Sequence, residues 1–151
     1  MTTFTIDTDV KSTRPKILVH GIEALVDTGA QIPVCMFSET VIKTVFNARQ
    51  VWTGSISGIG GECPGKVFIF DKITVGQLVF PDIPFFVPND PVPEIRILLS
   101  ASMFFGLDYE FKTKDHILKI TVPDYEPLER RLTVSDSNGR LHVLCNGISL
   151  D

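Results

Sequence analysis

Ala24-Leu25-Val26-Asp27-Thr28-Gly29-Ala30 runs an apolar stretch directly into an aspartate and a glycine turn. Leu25 and Val26 suit a buried strand, and Gly29 lets the backbone reverse sharply. An unpaired carboxylate in so apolar a frame is costly, so Asp27 needs a hydrogen-bonded partner or a task. One such task takes two carboxylates close enough to share a proton, one acting as base and the other as acid. The chain carries the triplet once. A second carboxylate of the same kind then has to come from another copy of the chain, so the stretch predicts a chemistry and an oligomeric state together.

Composition narrows the setting. At 151 residues, 44% hydrophobic and 21% charged, the chain has the size and balance of one globular domain. A formal charge of −4 argues against a nucleic-acid partner, which would call for a basic face. No apolar stretch reaches the ~20 residues needed to cross a bilayer as a helix, and residues 1–10 hold Asp7 and Asp9 where a secretory signal would be apolar. Cys35, Cys63 and Cys145 are odd in number and lack paired spacing, which disfavours a disulfide framework or a zinc site and reads as core thiols. His20, His116 and His142 are scattered and read as structural or surface residues. The expectation is a cytoplasmic protein that needs no metal or organic cofactor.

Short apolar runs between turn signals favour an all-β domain. Strands are expected over residues 16–19, 24–26, 51–56, 66–70, 72–75, 78–80, 84–87 and 116–122, with an apolar run at 34–37. Residues 39–49 fit either a short helix or an irregular strand, with Val41, Ile42, Val45 and Phe46 facing inward. Pro81, Pro84, Pro88, Pro91 and Pro93 predict that the strands around them are short or lie on an edge. Residues 100–107 make the clearest helix, with Ser100 as N-cap and Met103, Phe104 and Leu107 on one face. After Pro123 and Pro127, residues 131–150 read as a hairpin, with strands over 132–134 and 141–144 joined by a turn at Ser135-Asp136-Ser137-Asn138-Gly139, in which Asn138-Gly139 tolerate positive φ. Two units follow: residues 1–122 as the main domain and 123–151 as a C-terminal hairpin extension.

The second stretch with chemical content is Gly58-Ile59-Gly60-Gly61, set between two alternating runs. Taken alone, such a tip is most often an ordinary hairpin turn. Following Asp27-Thr28-Gly29 in the same chain, it reads instead as a mobile flap whose backbone amides reach a peptide while Ile59 shields it from water. Asp7-Thr8-Asp9 and Asp136-Ser137-Asn138-Gly139 are incomplete copies of the triplet and read as a solvated terminus and a turn.

Together these stretches resemble the retropepsins, the dimeric retrovirus-type aspartic proteases, in a cellular or bacterial member. Arg14-Pro15-Lys16-Ile17-Leu18-Val19, then Gly21 and residues 24–31, resemble the opening of that family, and Ser57-Gly58-Ile59-Gly60-Gly61 resembles its flap tip. Ile97-Leu98-Leu99-Ser100 before a helix is similar to its third landmark, and the likeness covers residues 14–121 in order. The resemblance implies an acid-protease barrel with one short C-terminal helix, active as a homodimer on peptide or protein substrates. It assigns Asp27, Thr28 and Gly29 to catalysis, and Gly29, Ala30, Gln31, Gly58, Ile59 and Gly60 to substrate binding.

Three positions depart from the family pattern. Ser100 stands where the family has Gly after the apolar pair, Ala101 replaces an interface Arg of the viral enzymes, and Gln31 replaces an Asp that binds substrate main chain. Ser100 and Ala101 leave open an alternative, a catalytically silent peptide-binding or scaffold dimer on the same fold. A generic β-barrel with Asp27 in an ordinary turn is the remaining rival.

Overall fold

The computed structural model describes residues 2–8, 16–27, 30–58, 61–92, 96–104, 107–112, 114–122, 132–138 and 140–150. Its largest unit is a seven-stranded sheet built from β2 (Lys16–Val19), β3 (Ile22–Val26), β4 (Val34–Cys35), β5 (Arg49–Gly58), β6 (Gly61–Val75), β7 (Leu78–Pro88) and β8 (Ile97–Leu99). The spatial order is β2-β3-β8-β4-β7-β6-β5, and Val19 pairs with Val75 so that β2 returns against β6. The sheet therefore curls on itself. β2 and β3 join through His20 (φ 51°) and Gly21 (φ 74°), two successive left-handed residues of the kind a two-residue hairpin needs. His20 also staples this turn to β6: its amide donates to the Thr74 carbonyl, and its Nδ1 accepts from the Thr74 amide.

Two three-stranded sheets flank this unit. β1 (Thr2–Asp7), β10 (Ile117–Val122) and β9 (Asp108–Lys112) form one, with β10 in the middle. β11 (Leu132–Ser137), β12 (Arg140–Cys145) and β13 (Ile148–Ser149) form the other, with β12 in the middle. The expected C-terminal hairpin is β11–β12, in register from Leu132↔Cys145 to Ser137↔Arg140. β1 was hidden by its polar character. Its signal was the alternation of Phe4 and Ile6 among threonines, which turns both apolar residues towards the core.

The core is aromatic at its centre. Phe70 stacks on Phe46 (centroids 4.8 Å apart) and on Phe85 (4.3 Å), and Phe80 meets Phe104 edge-on at 5.9 Å. Leu132 and Cys145 of the C-terminal strands belong to the same buried cluster as these rings. Cys35, Cys63 and Cys145 are all free thiols. Cys35 is buried, and burial pushes its pKa up to about 11.

Three expectations change on the structure. Residues 39–49 resolve into α1 (Glu39–Val45), started by Ser38, whose hydroxyl accepts from the Val41 amide. Ile42 and Phe46, four apart, make its inward stripe, so Val41 and Val45 turn outward instead of in. The helix expected over residues 100–107 is a 3-10 turn, Ala101–Phe104. Ser102, Met103 and Phe104 are buried in succession, which a one-sided α-helix cannot provide, and the Ser100 hydroxyl bonds to Ser102 Oγ instead of capping. Finally, β7 is an eleven-residue strand with Pro81, Pro84 and Pro88 in register against β6. It tolerates them because β4 pairs with it only at Phe86, leaving most of its other edge without ladder bonds to lose, and because Asp82 (φ 50°) breaks its alternation.

α1 is tied to the sheet by charge. Lys66 on β6 and then Lys43 hold the Glu39 carboxyl below its ordinary value of 4.5. The pair's contribution is therefore present above pH 4.5 and lost as pH falls through the lowered value. Both side chains of the Glu39–Lys66 pair are about a third exposed, so the contribution is small. Urea midpoints of wild type and Glu39→Gln should differ by a constant amount above pH 4.5 and converge at lower pH.

Candidate active site

β3 ends in Asp27, and its parallel partner β8 sets where that end lies. Ala24, Leu25 and Val26 pair with Ile97, Leu98 and Leu99. The ladder continues one residue further, the Asp27 amide donating to the Leu99 carbonyl at 2.9 Å. The Ala30 amide then donates to the Asp27 carbonyl at 3.1 Å. Asp27 is half-buried, between buried Val26 and the exposed Gln31. Behind it, Ser100 is fully buried, and its hydroxyl lies 2.6 Å from that of Ser102. A serine at this point is thus accommodated by a polar partner, and the Leu99 carbonyl keeps its bond to Asp27.

β5 and β6 form a long hairpin, in register from Gly58↔Gly61 back through Ser57↔Glu62 and Ile56↔Cys63. A shift in pairing between Gln50 and Trp52 lays the indole over Gly54. Across from it, a Cβ on Gly65 would stand 2.5 Å from both the Phe86 ring and the Val87 carbonyl, so only glycine lets β7 approach so closely. Of the residues expected at the site, Asp27, Ala30, Gln31 and Gly58 are described. Thr28, Gly29, Ile59 and Gly60 lie outside the described residues.

Gln31 does something its sequence position did not announce. Its Nε2 donates to the backbone carbonyl of Leu141 on β12, at 3.0 Å. A second tie runs from Trp52 Nε1 on β5 to Asp136 Oδ2 on β11, also 3.0 Å. Asp136 is therefore a strand residue with a partner, not only part of a turn. The half-buried indole finds an acceptor for its N–H in that carboxylate, but nothing in sequence links residue 52 to residue 136, because the pairing is purely tertiary. Among the described residues, no cluster of three His, Cys, Asp or Glu side chains is placed to hold a metal ion, and no helix is long and apolar enough to cross a membrane.

A family model described as aspartyl protease matches residues 19–103, more than half of the chain. The chain belongs to the aspartyl protease family. The match takes in Asp27, the β5–β6 hairpin and β8, and stops before β9, so the C-terminal sheet of this aspartyl protease family member lies beyond it. Among solved structures, a retropepsin-like aspartic protease from Rickettsia conorii is similar, with a TM-score of 0.52 at 14% identity. The likeness covers 79% of this chain and 89% of that one. The fold is thus retropepsin-like. No curated protein matches the chain.

Trp52 is the single tryptophan, so its emission reports how the C-terminal sheet is docked. Asp136→Ala should shift the emission maximum and raise quencher access, whereas a substitution of the exposed Ser135 should leave both unchanged.

Proposed function

We propose that the chain is an aspartic endopeptidase, working as a homodimer with one Asp27 from each subunit at the two-fold axis. The observation that carries this reading is the backbone clamp on Asp27: a parallel strand pair that runs on through the Asp27–Leu99 bond delivers the carboxylate on a rigid mount. Family membership supports the chemistry, and the single Asp-Thr-Gly motivates the second subunit.

Two like charges that close repel, so one carboxylate of the pair serves as base while the other carries the proton. The ionised partner takes a proton from a water held between them, and the water oxygen attacks the scissile carbonyl. The protonated partner donates to the developing oxyanion, and a proton then passes to the departing amine as the C–N bond breaks. Roles for Thr28 in locking the loops, for Gly29 and Ala30 along the substrate backbone, and for Gly58, Ile59 and Gly60 as the covering flap follow from the family resemblance. For the dimer, the outer edges of β1 and β9 carry no strand partner among the described residues and offer ladder positions to a second copy.

Ser100 does not weigh against activity, since the Asp27 clamp persists beside it. Asp27→Asn should leave the dimer intact by sedimentation and reduce cleavage of a peptide library at pH 5–6 by about four orders of magnitude or more. Equal turnover by wild type and Asp27→Asn would overturn the assignment.

A further inference from the structure

The C-terminal sheet lies beyond the family match, yet it is bonded both to the segment that follows Asp27 and to β5. Gln31, four residues past Asp27, is bonded to Leu141, and Trp52 on β5 is bonded to Asp136. Leu141 and Val143 share a buried cluster with Ile32 and with Val67 and Phe86 of β6 and β7. Between the two hairpins a cleft of about 160 Å³ stays open, bounded by Gln31, Ile56, Ser57, Glu62, Arg140 and Leu141. A cavity of about 150 Å³ takes a benzene ring, so the cleft has room for one side chain.

Glu62 and Arg140 are exposed, and neither has an ion-pair partner among the described residues. A full charge in this cleft meets attraction from one of them and repulsion from the other. A primary amide meets neither penalty: its NH2 can donate to the carboxylate while its carbonyl accepts from the guanidinium. Ile56 and Leu141 offer apolar surface to the stem of such a side chain.

We infer that the added hairpin builds a substrate subsite for a glutamine or asparagine side chain, with Arg140 and Glu62 setting its preference. The inference rests on the proposed peptide-cutting role of the chain. Gln31, with its amide engaged by Leu141, is a positioning residue that holds β12, and hence Arg140, against the cleft.

The test compares wild type, Arg140→Glu and Glu62→Lys on a randomised peptide library, sequencing cleavage products. The same library is selected in parallel for binding to the Asp27→Asn forms of all three. Unchanged Trp52 emission shows that the hairpin stays docked in each. Wild type should favour Gln or Asn at one position away from the cleaved bond. Arg140→Glu should move that position towards Lys and Arg, and Glu62→Lys towards Asp and Glu, each by roughly tenfold or more. Cleavage with the same preference in all three forms overturns the subsite and leaves the peptidase standing. Charge-dependent selection without cleavage by any form supports the subsite and removes the peptidase. Neither selection nor cleavage overturns both.

Discussion

The bond from the Asp27 amide to the Leu99 carbonyl joins two parallel strands at the point where one of them stops being a strand. Parallel strands need long connections, and here everything from β4 to β7 lies between β3 and β8. The position of one carboxylate thus depends on the closure of the whole sheet. β4 supports β8 from the other side through Val34↔Leu98 and Cys35↔Ile97, and buried Cys35 completes that contact as a small apolar residue with its thiol protonated. A site on such a mount is held by ladder bonds and core packing more than by local loop contacts.

Much of this was legible in the sequence, and physical chemistry explains which parts. The apolar run before Asp27, the alternating strands on either side of Gly58-Ile59-Gly60-Gly61 and the C-terminal hairpin all carry local signals that a short window contains. What failed depended on tertiary context. Prolines at 81, 84 and 88 penalise a strand only where they interrupt a ladder, and the sparse pairing of β7 on its β4 side removes that penalty. Apolar residues at 41 and 45 look inward in a window, but the helix seats only Ile42 and Phe46 in the core. The segment after Ser100 had helical spacing on paper, while burial of three successive residues required a tighter turn.

The candidate site has a part that sequence suggests and a part that it hides. Asp27 and the glycine hairpin announce themselves by composition. The contacts that tie them to the rest do not: Gln31 with Leu141 spans 110 residues and Trp52 with Asp136 spans 84. Those two bonds make the C-terminal sheet part of the site's surroundings, sharing its hydrophobic cluster, where sequence suggested an appendage. The same docking gives the proposed substrate path a wall that the family match does not include.

At the centre of the account stands one carboxylate per chain acting as half of a pair. Titration of the purified protein with a tight-binding statine peptide, whose hydroxyl sits between two carboxylates, reads that directly. The account predicts an endpoint of one inhibitor for every two chains, abolished by Asp27→Asn. An endpoint of one inhibitor per chain, or binding indifferent to Asp27, would contradict it.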